Sequence, residues 1–182
     1  MDKTLPPIQR YSLVARMFHW SMAAIIIPLW LLGFYAGRIM PHEATSQKAL
    51  LLLIHKEIGP FIIVLTVLRL VWRATHRSPA MSAEIPEEER LAVQVGHFGL
   101  YAMMLVVPLT GWVRSSVHGL PIPMMWVVNL PPLAHKAPVF VPLVNVLHQF
   151  SSWVLGVLIA GHVIAALLHR YGRKDSIMDR ML

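Results

Sequence analysis

Long apolar runs alternate with short polar segments along this chain. Four of the runs are long enough to cross a hydrocarbon core, which takes about 20 helical residues: residues 17–36, 50–72, 91–113 and 143–168. Because unpaired backbone groups are costly in lipid and no run alternates as a barrel strand does, all four are predicted to be helices. The chain is therefore predicted to be all-α, a single-domain integral membrane four-helix bundle over residues 1–182.

Composition supports a membrane protein and narrows the chemistry. The chain is 56% hydrophobic and 14% charged, with a mean hydropathy of +0.58. The net charge of +7 comes from cations spread between the apolar runs rather than gathered in one patch, which argues against nucleic acid as a partner. The absence of cysteine excludes thiolate metal sites, iron-sulfur clusters and covalent C-x-x-C-H haem attachment. Any metal must be held by His, Met or carboxylate.

The loop charges predict that both termini lie inside. The first run is too long for the apolar core of a signal peptide and has no small-x-small site after it, so it is predicted to be a retained anchor. The inner side then holds eleven cations: Lys3, Arg10, Arg16, Arg69, Arg73, Arg77, Arg90, Arg170, Arg173, Lys174 and Arg180. The outer side holds five, here called the outer cations: Arg38, Lys48, Lys56, Arg114 and Lys136. This asymmetry follows the positive-inside rule, so the topology is predicted to be N-in and C-in.

Two connections carry recognisable signals. Pro86 and the three glutamates of residues 87–89 suit the first turn of a helix, so the third helix is predicted to begin there. The outer connection, residues 114–142, is the longest and is apolar, broken by prolines, and centred on Trp126. It is predicted to lie on the bilayer surface or to fold back over the bundle.

Five of the ten histidines fall inside the four spans: His19, His55, His97, His148 and His162. An ionisable group at membrane depth is expensive and is therefore often functional. A single buried histidine can also simply bond a neighbouring helix.

The depths of four of these histidines match in pairs. His148 and His162 are 14 residues apart, which places them within about 40° of one helix face and about 21 Å apart along the axis. Given the alternating directions of the spans, His19 lies at the inner level with His162, and His55 lies at the outer level with His148. This predicts two haem irons stacked across the membrane, each held between two imidazoles.

Other polar residues cluster at the inner level. His97 also lies there, so it either competes with His19 for the iron or lines a quinone pocket. His169, seven residues beyond His162, either joins that pocket or snorkels at the interface. Arg69 either pairs with haem propionates or reaches the inner headgroups.

Alternative metal chemistry is less consistent with the spacing. Zinc prefers four ligands at one depth, or three and a water, whereas two ligands per level suit a porphyrin iron. Methionine can replace a histidine on haem iron, although scattered methionines are more often core filler. The candidates are Met22, Met103 and Met104.

Several short motifs carry a family resemblance over nearly the whole chain. They are His19-Trp20, H-K-E-I-G from His55, G-H-F-G-L-Y from Gly96, P-L-T-G-W from Pro108 and H-x13-H from His148, with Arg69, Arg73 and the terminal H-R-Y-G-R-K-D also fitting. With these motifs the chain resembles the bacterial diheme cytochrome b-561 proteins, which are related to the membrane cytochrome b subunits of nickel-iron hydrogenases.

The resemblance implies a multi-pass protein of the bacterial inner membrane with two non-covalent haems b. It assigns His19 and His162 to the inner haem, and His55 and His148 to the outer one. It also implies a quinone site near the inner haem, with His169 at the family position and His97 contributing. One type in this family is a superoxide oxidase, which oxidises superoxide at the outer face and passes electrons through both haems to ubiquinone. The resemblance thus implies an oxidoreductase of the superoxide:ubiquinone type.

Three functions remain open from the sequence. The first is a diheme cytochrome b that moves electrons between ubiquinone and a periplasmic donor, either superoxide or a redox protein. The outer cations would attract a small anion, or they only contact headgroups. The second is a haem-b anchoring subunit that accepts electrons from a partner dehydrogenase or hydrogenase. The third is a His-lined transporter of metal ions or protons without haem.

Overall fold

The computed structural model describes residues 9–41, 43, 45–82 and 84–182, so Lys3, used above to predict orientation, lies outside the described residues. Four long helices dominate: α1 (Leu13–Phe34), α2 (Ser46–Thr75), α3 (Glu87–His118) and α4 (Val141–Leu167). All four are long and apolar enough to cross a membrane, and each packs against the next in sequence. The prediction of an all-α four-helix membrane bundle is confirmed.

Capping residues set the ends of the helices. The Ser12 hydroxyl accepts from the backbone N–H of Ala15 at the start of α1, and the Thr45 hydroxyl caps α2 in the same way. Helix α3 follows Pro86 directly, as predicted, and ends at Gly119, whose φ of 68° provides the left-handed C-terminal cap. Helices α1, α2 and α3 therefore begin before their apolar spans, because their N-terminal caps lie in the polar flanks.

The packed core is a small apolar layer in the middle of the bundle. It consists of Met22, Ile26, Ile62, Met104 and Leu155, which come from all four helices. Many of the remaining large apolar side chains of the helices are exposed. This distribution is expected of helices whose outer faces contact lipid rather than water.

The outer connection folds back over the bundle as a hairpin. Its strands are β1 (Pro123–Met124) and β2 (Val128–Asn129), which pair antiparallel. Both tip residues, Met125 and Trp126, have φ of 55°, the pattern of a type I′ turn. The tip is held by Glu57 of α2, whose carbonyl accepts from Met125 N at 2.9 Å and whose carboxylate accepts from Trp126 N at 2.7 Å. Of the two predicted arrangements, the folded-back one is observed.

The C-terminal segment, residues 168–182, closes the inner end. Arg180 is only 8% exposed. Its guanidinium donates to the carbonyl of Gln9 at 3.0 Å and to the carbonyl of Ala80 at 2.6 Å. One buried side chain thereby ties the C-terminal segment to the chain before α1 and to the connection between α2 and α3.

Candidate functional site

An outer pair of imidazoles joins α2 to α4. The ring centroids of His55 and His148 are 6.3 Å apart, with 77° between the ring planes. His55 Nδ1 lies 3.2 Å from the carbonyl oxygen of Leu29, and His148 Nδ1 lies 3.1 Å from that of Val107. Because a carbonyl only accepts, each Nδ1 carries the proton and each Nε2 keeps a free lone pair. A metal-binding histidine is usually oriented by such a partner on its other nitrogen.

Two glycines make the room that these rings occupy. A Cβ at Gly33 of α1 would lie 2.7 Å from Cε1 of His55, and a Cβ at Gly111 of α3 would lie 3.1 Å from Cε1 of His148. Both distances are shorter than ordinary van der Waals contact. The outer site is thus lined by two histidines and by two positions where any side chain would displace them.

Three imidazoles meet at the inner level. The ring centroid of His162 on α4 lies 6.0 Å from that of His19 on α1 and 5.5 Å from that of His97 on α3. His97 Nδ1 lies 2.7 Å from the carbonyl oxygen of Val93, so its proton position matches that of the outer pair. His97 is exposed, whereas His19 and His162 are partly buried. The structure therefore brings both predicted inner partners to His162.

Arg69 distinguishes His19 from the other rings. Its Nη2 lies 3.4 Å from His19 Nδ1, and a guanidinium only donates, so His19 Nδ1 accepts and the ring proton rests on Nε2. Arg69 and Arg73 also lie 5.4 and 5.6 Å from the ring centroid of Tyr101. Among the described residues neither guanidinium has a carboxylate within ion-pair distance. This part of the site can accept an acidic group.

The spacing of the rings fits a single metal ion between each pair. Imidazole nitrogens bind a metal such as zinc at about 2.0–2.1 Å, and the ring centroid lies about 1 Å further, so two rings on opposite sides of one ion have centroids about 6 Å apart. The 6.3 Å of His55 with His148 and the 6.0 Å of His19 with His162 agree with this value. Over the described ranges no group of three or more His or acidic side chains is placed to hold a metal ion. The donor set suits two ligands per level, as for haem iron, rather than a zinc site.

The remaining candidates are not members of these pairs. His169 is about two turns beyond His162, at the start of the inner closing segment, where its Nδ1 lies 2.5 Å from Asp175 Oδ2. Met22 and Met104 are buried in the core layer and Met103 packs against it, so the methionines act as core filler.

One spacing organises the whole site and could have revealed residues that the sequence analysis missed. On every helix two interior positions are 14 residues apart, one at each level. The outer level holds Gly33, His55, Gly111 and His148, and the inner level holds His19, Arg69, His97 and His162. The two glycines follow His19 and His97 by this interval, which was a usable signal. The carbonyl acceptors of Leu29 and Val107 have none, because any residue provides a carbonyl.

The chain is similar to known proteins along nearly its whole length. The chain is 28% identical over 174 residues to cytochrome b561 homolog 2 of Escherichia coli K12, covering 96% of this chain and 92% of the relative. It is 25% identical over 182 residues to cytochrome b561 homolog 1 of the same strain, covering 96% and 98%. It is 27% identical over 188 residues to a Yersinia pestis protein named "Probable superoxide oxidase CybB", covering 96% of each.

A family description also matches nearly the whole chain. The sequence model of the prokaryotic cytochrome b561 family covers residues 10–182, which include all four helices, both histidine levels and the inner closing segment. The chain therefore belongs to the prokaryotic cytochrome b561 family and is a multi-pass membrane protein of haem-b electron transfer.

Proposed function

We propose that this protein carries electrons across the bacterial inner membrane, from a donor at the outer face to ubiquinone at the inner face, with two haems b bound between histidine pairs. The observation that carries the proposal is the spacing of 6.0 and 6.3 Å in two imidazole pairs that share α4. The pairs are about 21 Å apart along that helix. Haem b, when bound, supplies a one-electron iron couple.

The outer pair is the better preorganised of the two. His55 and His148 already have Nδ1–H bonded to the carbonyls of Leu29 and Val107, which leaves Nε2 of each ring for the iron. If both imidazoles held the haem iron, a small donor would find no open position on it. At this level the chain would hold the haem and let electrons reach the haem edge.

The inner pair is proposed to be His19 with His162. Its 6.0 Å spacing is closer to the expected value than the 5.5 Å between His97 and His162, and His19 is less exposed than His97. Ligation through Nε2 requires the proton to move to Nδ1 and Arg69 to give up its present contact. The released guanidinium would then be free, with Arg73, to pair with haem propionates.

The quinone is proposed to bind at the inner end of the bundle. His97 lies against the inner pair, and His169 is a partly buried imidazole beside the closing segment. Both are polar groups able to contact the oxygens of a quinone head. The exposed apolar side chains of the neighbouring helix ends suit an isoprenoid tail that approaches from the lipid.

The outer face favours an anionic donor, and superoxide is the one proposed. The outer cations, defined above, face few acids: Glu57 is 4% exposed and its carboxylate is bonded to the hairpin tip at Trp126. Net positive potential raises the encounter rate of a small anion. One relative, the Yersinia pestis protein, is named a probable superoxide oxidase.

Haem counting tests the ligand assignment. We expect two haems b per wild-type chain in a pyridine haemochrome assay. His55→Ala or His148→Ala should remove one, and His19→Ala or His162→Ala should remove the other. His97→Ala is the matched control and should keep both. Loss of a haem from His97→Ala with both kept in His19→Ala would overturn the inner pairing, and a colourless wild-type protein would overturn the proposal.

A second assay tests the donor. Purified protein is mixed with enzymatically generated superoxide and a short-chain ubiquinone, and quinol formation is followed spectroscopically. We expect quinol formation that falls as ionic strength rises, because screening weakens the attraction of the outer cations. If superoxide yields no quinol while a reduced redox protein does, the anchoring-subunit function replaces superoxide oxidation.

A further inference from the structure

A carboxylate from the inner closing segment holds the imidazole of His169. His169 Nδ1 lies 2.5 Å from Asp175 Oδ2, and both side chains are 12% exposed. A π-helical turn, Leu168–Arg173, continues α4, and Lys174 with φ of 58° then turns the chain back. Asp175 N donates to the carbonyl of His169 at 3.2 Å, which fixes the turn. The backbone turn therefore places the Asp175 carboxylate against the His169 ring.

The pairing determines which nitrogen of His169 can react. A carboxylate accepts, so Nδ1 carries the proton and Nε2 is the nitrogen left to exchange protons. An imidazole held in this way can accept and release a proton at a fixed position.

The other acids around this segment are committed to different partners. Glu89 of α3 pairs with Arg173, Asp179 pairs with Arg170, and Glu84 accepts from Ser176. Within the part of the chain that the structure describes, Asp175 is the carboxylate within ion-pair distance of His169.

We infer that Asp175 is a positioning residue that makes His169 the proton exchanger of the inner quinone reaction; this rests on the proposed function. Reduction of one quinone takes two electrons, supplied one at a time by the outer donor, and two protons. For each proton an N–H bond at His169 Nε2 breaks as an O–H bond on the quinone forms. The ring is then reprotonated from water on the inner side. Quinol oxidation is the reverse, with both protons leaving through the ring.

Quinol oxidation, the reverse reaction, can be tested without the electron donor of the outer face. The oxidised, haem-loaded protein is mixed with a short-chain ubiquinol in a stopped-flow instrument, and haem reduction is recorded over a range of quinol concentrations and pH. Asp175→Asn keeps an oxygen acceptor but removes the charge. Asp179→Asn is the matched control, because it removes a carboxylate from the same segment that is bonded to Arg170 instead of a histidine.

Asp175→Asn should lower the limiting rate about 10- to 100-fold, within the range of general acid-base effects, and change the half-saturating quinol concentration less than about 3-fold. The pH profile of the limiting rate should also change, because the carboxylate that faces His169 Nδ1 loses its charge. Asp179→Asn should stay within about 2-fold of wild type. His169→Gln should be as slow as the double variant His169→Gln/Asp175→Asn, because the proposal has Asp175 act on the quinone through His169.

The outcomes separate the two proposals. If the wild-type haems are not reduced by quinol at all, the proposed quinone reaction fails. If wild type is reduced but Asp175→Asn matches Asp179→Asn, or the double variant is additively slower, only the role of Asp175 fails. If Asp175→Asn loses its haems, Asp175→Glu is used instead. It moves the carboxylate by one methylene and should change both the limiting rate and its pH profile. An unchanged pH profile overturns the inference.

Discussion

Replacing Gly33 with alanine is a sharp test of the outer site. Gly33 lies on α1, 22 residues before His55, and is not itself a ligand. An added Cβ would lie 2.7 Å from Cε1 of the His55 ring, against 3.4–4 Å for ordinary contact. The side chain that must give way is the proposed iron ligand.

The magnitude follows from that overlap. A ring shift of about 0.7 Å restores contact, and it would stretch the 3.2 Å bond from His55 Nδ1 to the Leu29 carbonyl past hydrogen-bond range. A free ring can turn aside, whereas a ring that held the iron could not, so the cost falls on the haem-bound form. Overpacking of this kind costs about 1–3 kcal/mol, which corresponds to about a 5- to 150-fold loss of outer-haem affinity. Alanine also improves helix propensity by about 1 kcal/mol, but that gain is the same with and without haem. Haem occupancy therefore isolates the clash.

Haem titration of the apo protein measures the effect. Gly33→Ala should weaken one of two binding steps, and Gly111→Ala should weaken the same step less, because its Cβ would lie 3.1 Å from His148. Gly59→Ala is the control, since a Cβ there has no atom within 4 Å. If Gly33→Ala binds both haems as tightly as Gly59→Ala, the reasoning about the outer site is wrong.

Two further predictions concern the ends of the bundle. Glu57→Ala should release the hairpin tip at Trp126, because a backbone bond of 2.7 Å to a buried carboxylate is lost. Faster proteolysis between residues 120 and 136 would show this release, and an unchanged cleavage rate would contradict it. Arg180→Ala should speed amide hydrogen exchange in residues 174–182, since bonds to two carbonyls and a buried side chain are lost together. Exchange at the wild-type rate would mean that the segment is held by other contacts.

The four helices and the two histidine levels could be predicted from the sequence because both depend on simple geometry. Hydropathy fixes which segments cross the membrane, and a rise of 1.5 Å per residue converts a 14-residue interval into depth. The same interval links Gly33 to His19 and Gly111 to His97. The two glycines were not predicted as site residues, because a glycine in a sequence does not indicate which ring will pack against it.

The hairpin and the inner closure could not be predicted, because tertiary contacts override weak local signals there. A type I′ turn normally uses Asn or Gly, whereas this tip has Met125 and Trp126 in left-handed conformations. Two backbone bonds to Glu57, distant in sequence, stabilise it. Asp175 likewise meets His169 only because Lys174 turns the chain back, and a lysine in that conformation has no sequence signature.

The apolar layer between the two histidine levels distinguishes an electron carrier from an ion transporter. It contains the core residues Met22, Ile26, Ile62, Met104 and Leu155, and the buried hydroxyl of Thr66 is already bonded to a backbone carbonyl of its own helix. A proton or metal ion would need polar groups or water through this layer, whereas electrons can cross apolar packing. Liposomes containing the haem-loaded protein should therefore hold a pH gradient as well as empty liposomes do when donor and quinone are absent. Replacing Ile62 with Asp would put a carboxylate in the layer and should make them leak, while a leak through the wild-type protein would favour the transporter.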